Sequence, residues 1–156
     1  MDDKERKEFK IKLKRHVLYK TWRNRIKCLK IDSFISIEDS IKLRQNVLNK
    51  VDNSSNKKIL SDNYELNLKE LTNLKNLFIP FFEETAILFH REILECGAIK
   101  IKVKHFFEYF DDIAEFTKYN IGSGDIILVD KNLKYGICLE RFEYFHQLCV
   151  WTESIF

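Results

Sequence analysis

One proline and 4 glycines in 156 residues leave little material for tight reversals. A sandwich or barrel of many short strands needs Gly and Pro at its turns, so that class is disfavoured and long helices are expected. Long apolar runs are missing too. The nearest, Leu77 to Phe82, falls far short of the roughly 18 apolar residues of a membrane span. The chain starts Met1-Asp2-Asp3-Lys4-Glu5-Arg6 and leads into no apolar stretch, so no secretory signal and a cytoplasmic location are expected. The 4 cysteines, Cys28, Cys96, Cys138 and Cys149, contain no C-x-x-C pair, and the expected state is four buried or half-buried free thiols with no metal.

What is present is apolar enough to fold: 45% of residues are hydrophobic and 33% charged, which excludes wholesale disorder and predicts one packed core. Phenylalanine is over-used, with 13 copies, most of them in the second half of the chain. The net charge is only +3, but it is unevenly laid out, with the lysines and arginines crowded before residue 58 and the acids prevailing after it. A single α+β domain over 1–156 is expected, with a basic helical part (1–58) and an acidic, aromatic-rich part (59–156).

Ile11, Leu18, Trp22, Ile26 and Leu29 recur at helical spacing between Lys4 and Lys30, predicting a basic amphipathic helix or two in succession. Ser36, followed by Ile37-Glu38-Asp39, reads as the N-cap of a second helix, which the polar run Asp52 to Asn56 ends. A Leu-rich helix from Leu66 to Phe78 must stop before Pro80, and Pro80 opens another with Phe82, Ala86, Phe89 and Ile93 as its core stripe and Gly97 beyond its end. Alternation then predicts a strand over 98–104, a helix over 105–117, and a hairpin of strands 125–130 and 135–142. Glu143 to Trp151 leans toward a third strand. The expected fold is therefore a helical N-terminal half packed on a small antiparallel sheet of three to four strands.

Gly122-Ser123-Gly124-Asp125 has the glycines of a phosphate cradle but leads into a strand, with no Lys-Ser/Thr after it, so it reads as a turn and no cofactor is expected. His90 and Cys96 are six apart, whereas metal ligands on one helix face stand three or four apart. Cys138 and His146 hold the ingredients of a Cys/His hydrolase, without any accompanying oxyanion motif. Lys10, Lys12, Lys14, Arg15, Arg23 and Arg25, beside Tyr19 and Trp22, could bind phosphates, the basis of an alternative reading as a nucleic-acid-binding accessory protein. The acidic residues Glu108, Asp111, Asp112 and Glu115 lie on the solvent face of the helix over 105–117.

Gly124-Asp125-Ile126-Ile127-Leu128-Val129-Asp130, Tyr135-Gly136-Ile137-Cys138-Leu139-Glu140 and Glu143-Tyr144-Phe145-His146 together resemble the closing hairpin of small bacterial immunity proteins from polymorphic toxin systems. The resemblance implies a cytoplasmic, non-enzymatic α+β protein that binds and blocks a cognate toxin, expected here to occlude its active site; the lack of a long apolar run separately leads to the expectation of no membrane partner. On this reading the partner-binding face comprises Glu108, Asp111, Asp112 and Glu115 together with Asp130, Glu140, Glu143, Tyr144 and His146, because charge complementarity speeds association with a basic toxin.

Overall fold

The computed structural model of the chain describes residues 1–153. Six strands form one antiparallel sheet: β1 (Lys57–Leu60), β2 (Thr85–Leu88), β3 (Ile99–Lys102), β4 (Ile126–Val129), β5 (Tyr135–Arg141) and β6 (His146–Thr152), in the order β1-β6-β5-β4-β2-β3. The helices are α1 (Asp3–Trp22), α2 (Ile37–Asp52), α3 (Tyr64–Asn73), α4 (Ile93–Cys96), α5 (Val103–Glu108) and α6 (Phe110–Phe116), with 3₁₀ turns at Lys75–Phe81 and Tyr119–Ile121.

The α+β class holds. The expectation of three to four strands does not, and helices are not confined to the N-terminal half but are interspersed with the strands up to β4. Both corrections have one cause, because the sheet is covered on both faces. One face carries Ala86, Leu88, Ile126, Leu128, Ile137 and Leu139 under the aromatic rings of Phe78, Phe81, Phe106, Phe110 and Phe116. The other carries Ile87, Ile127, Val129, Cys138, Cys149 and Trp151 under Leu43, Val47 and Val51 of α2. Burying each such aliphatic or aromatic side chain contributes about 1.5–3 kcal/mol, so the three layers hold one another together.

A strand buried on both sides loses its alternation. Ala86-Ile87-Leu88-Phe89 is a continuous buried run, and its residues also fit a helical stripe, so periodicity read β2 as part of a helix opened by Pro80. Pro80 instead lies within the 3₁₀ turn, and only Ile93–Cys96 is helical. β1 was hidden for the opposite reason: three of its four residues are exposed, at the sheet's edge. The basic N-terminal helix ends at Trp22, and Ile26 and Leu29 reach the core from the turns that follow.

Local caps agree with the sequence. Asp2 accepts the Glu5 N–H (2.8 Å) at the start of α1, and Ser36 accepts the Asp39 N–H (3.0 Å) at the start of α2. Each of residues 1–10 is exposed, so the first turns of α1 bury none of their side chains in the core. No helix of the described residues is long and apolar enough to cross a membrane.

Candidate functional site

The two charged surfaces expected from the sequence meet at one residue, Arg25. Arg25, in the segment after α1, donates to Asp112 (2.9 Å) and to Glu115 on α6, while its guanidinium lies 4.8 Å from the Trp22 ring. The Glu115 carboxyl is held below its ordinary pKa by Arg25. His105 Nδ1 lies 3.0 Å from Glu108. Of the four helical acids only Asp111 has no such partner among the described residues, so they do not form a free negative face.

The basic set divides in the same way. Lys14 pairs with Glu92 (3.1 Å) and Glu95 (3.2 Å), which raise its pKa. Arg15 donates to the carbonyls of Cys96 (2.8 Å) and Ile35 (3.0 Å), clamping α1 onto the segments around α4. Lys10, Lys12 and Arg23 remain exposed.

The hairpin residues scatter. Asp130 is buried in the β4–β5 turn, where its carboxylate accepts the N–H groups of Asn132 and Lys134 (both 3.1 Å). It sits at the far end of β5 from Glu143, so its role is to shape that turn. His146 is also buried: its Nδ1 lies 2.6 Å from the Tyr119 hydroxyl and 2.9 Å from Asn67 Nδ2, under the Tyr64 ring. Cys138 and Cys149 face the α2 side of the sheet, whereas His146 packs among Asn67, Tyr64 and Tyr119 on the other. The Cys138 thiol, fully buried and 3.6 Å from Glu140, has its pKa pushed up, first by burial and then by that carboxylate. Cys138 and His146 are therefore not brought together, and the thiol has no cation to make it a thiolate. All four cysteines are free, and Cys28 alone is half-exposed.

What remains is the β5–β6 turn, residues 142–145. Tyr144 is 83% exposed, and Phe142, 43% exposed, stacks on Phe145 with ring centroids 5.0 Å apart. Glu143 is exposed beside them and Glu140 is half-buried, its carboxyl raised by burial and by Asp125. Asp125 accepts the Arg141 N–H (2.9 Å), and Gly122 lies against Tyr64 and Arg141, which brings the loop carrying the exposed Ile121 to the same end of the sheet. The candidate site is this end: an aromatic tip rimmed by carboxylates. Phe142 and Ile121 were not singled out from the sequence. The signal available was a turn built of Phe, Glu, Tyr and Phe, where turns ordinarily carry Gly, Asn, Asp or Ser.

The buried histidines give the fold an acid-sensitive element. His90 Nδ1 accepts the Glu92 N–H (3.1 Å) while Nε2 bonds the Gly97 carbonyl (2.6 Å), which fixes a neutral ring. Burial lowers the pKa of both His90 and His146; Arg141 also lowers that of His146, against Asp62 and Asp125. With the folded values below the ordinary value of about 6.5, the unfolded state binds more protons as pH falls, so stability is complete above that value and is lost below it. The urea midpoint should be lower at pH 5 than at pH 7.5. Equal midpoints would show that neither ring is held neutral.

Among the described residues no group of three His, Cys, Asp or Glu side chains is placed to hold a metal ion. Neither a curated protein nor a solved structure matches the chain. A family model, described as YxiF protein, matches residues 18–151; the span contains the aromatic tip and leaves Lys10, Lys12, Lys14 and Arg15 outside. The chain therefore belongs to the YxiF protein family.

Proposed function

We propose that this protein is a binding module of the immunity type, which acts in the cytoplasm by docking on a cognate toxin and occluding its active site. The observation that carries the reading is Tyr144, 83% exposed at the tip of the sheet beside the stacked Phe142 and Phe145. Exposed aromatic clusters without a core role are costly in water and characteristic of binding surfaces, where Tyr anchors contribute a large share of the affinity. Glu143 and Asp125 at the rim would repel acidic partners and speed encounter with a basic one. The helical acids are not part of this surface, because Arg25 engages two of them within the chain.

The reading is tested by gene context and by growth. The gene should lie directly behind a reading frame for a large secreted toxin, and co-expression with that toxin's C-terminal domain should restore the growth that the domain alone abolishes. A neighbouring toxin domain that kills equally well in the presence of this protein, with no complex on size exclusion, would remove the immunity reading.

A further inference from the structure

A groove of about 520 Å³ opens at the outer edge of the sheet, away from the aromatic tip. Lys27 and Lys30, from the segment after α1, face Lys100 and Lys102 of β3 across it, and His105 and Tyr109 of α5 and its C-cap close one side. Lysines on an edge strand commonly guard it against pairing with other strands, which is reason enough for Lys100 and Lys102. It is no reason for two further lysines, distant in sequence, to converge on the same space. Among the described residues Lys27, Lys30 and Lys100 have no ion pair, and Lys102 shares Glu83 with Lys104. Several like charges lining one concave surface focus a positive potential that an anion relieves.

The aromatic side narrows the class of anion. His105 and Tyr109 are stacked, with centroids 6.1 Å apart and planes 22° from parallel, and both are half-exposed. A basic channel beside aromatic rings is how proteins hold unpaired nucleotides: cations take the phosphates and rings stack on the bases. The volume falls in the range of about 300–1,000 Å³ usual for small-ligand pockets. Lys100 also borders a second groove, of about 380 Å³, with Lys42 and Lys131, which carries the positive track around the edge. The acids beside it are Glu83, shared by Lys102 and Lys104, Glu108, held by His105, and Asp39 in the second groove.

We propose that this groove binds a nucleoside phosphate, free or as part of a single strand, with phosphates on Lys27, Lys30, Lys100 and Lys102 and the base against Tyr109 and His105. The site is separate from the aromatic tip and does not rest on the immunity reading.

The test uses the full chain with a labelled oligothymidylate, AMP and inorganic phosphate as probes, read by anisotropy and by alkylation of Cys28. That thiol lines the groove and is the one cysteine that is not buried. Four neutralised phosphates give a slope of about −2.8 for log affinity against log salt, a roughly 50-fold loss between 50 and 200 mM. Lys30→Glu with Lys100→Glu should halve that slope to about −1.4; Lys10→Glu with Lys12→Glu should leave it unchanged. Lys27→Gln with Lys102→Gln replaces the first pair if its thermal midpoint falls. AMP protecting Cys28 as well as the oligonucleotide does would identify the free nucleotide as ligand; much tighter oligonucleotide binding would identify a strand. No binding at low salt, equal displacement by phosphate and AMP, or a duplex bound as tightly as a single strand would each overturn the proposal. Growth protection against a toxin should be the same in all groove variants, so the two readings fail separately.

Discussion

Gly97→Ala should destabilise the fold by about 4 kcal/mol, an exceptional loss for the addition of one methyl group. Gly97 has φ 84° and ψ 163°, a region open in practice only to glycine, and an L side chain there costs about 1–3 kcal/mol. A Cβ would also stand 2.0 Å from the Ile35 carbonyl oxygen. That carbonyl cannot retreat freely, because the strip around it is fastened on every side. Ile35 N–H donates to Ala98 (2.9 Å), Lys100 N–H donates to Ser33 (2.8 Å), and Arg15 donates to Ile35 itself (3.0 Å). Relieving the clash means giving up some of these bonds, each worth about 0.5–1.5 kcal/mol net. With a urea slope of about 2 kcal/mol/M, the midpoint should fall by about 2 M. Gly122→Asn is the contrast: its φ of 76° is one that Asn tolerates, and its new Cβ meets the flexible ends of Tyr64 and Arg141. It should cost no more than about 1–2 kcal/mol. A loss below about 1 kcal/mol for Gly97→Ala would mean that the strip moves easily and that α1 is not clamped as described.

Gly97 also shows what the sequence could convey. Its place after Ile93 and before an alternating strand was legible as the end of a helix and the start of β3, and both are present. The same holds for the Ser36 cap and the β4–β5 hairpin, where the determining chemistry is local. β2 was illegible because burial on both faces erased the period of two. The pairing of β2 with β4, which places it inside the sheet, is a tertiary fact with no local signature.

The charges followed the same division. That residues 10–25 were basic and residues 108–115 acidic was plain in the sequence; that Arg25 would meet Asp112 and Glu115 depends on how the segment after α1 is placed beside α6. His146 was grouped with Tyr144 on one partner-binding face, yet His146 opens β6 and is buried against Asn67, whereas Tyr144 stays in the exposed turn that precedes the strand. Lys27, Lys30, Lys100 and Lys102 appeared as separate surface cations, and only the fold gathers them into one groove.

Tyr144→Ala should weaken the complex with the cognate partner by about 2–4 kcal/mol, roughly 30- to 700-fold in Kd, while leaving the fold nearly untouched. At 83% exposure its ring supports nothing in the core, so its removal should change folding stability by no more than about 0.5 kcal/mol. The ring is also carried on a short turn pinned at both sides: Phe142 N–H donates to the Phe145 carbonyl (2.8 Å), and their rings stack beneath. Little side-chain or loop freedom is then lost on docking, which is how a single aromatic comes to dominate an interface. Phe142→Ala should cost affinity as well, with a small loss of stability from the broken stack. Glu143→Lys acts differently. As a rim charge it should slow association at low salt and leave dissociation nearly unchanged. Asp111→Lys, on α6, should alter neither rate by much. If Tyr144→Ala binds as tightly as the native protein while Asp111→Lys slows association, the docking surface lies on α6 and the aromatic tip has another purpose.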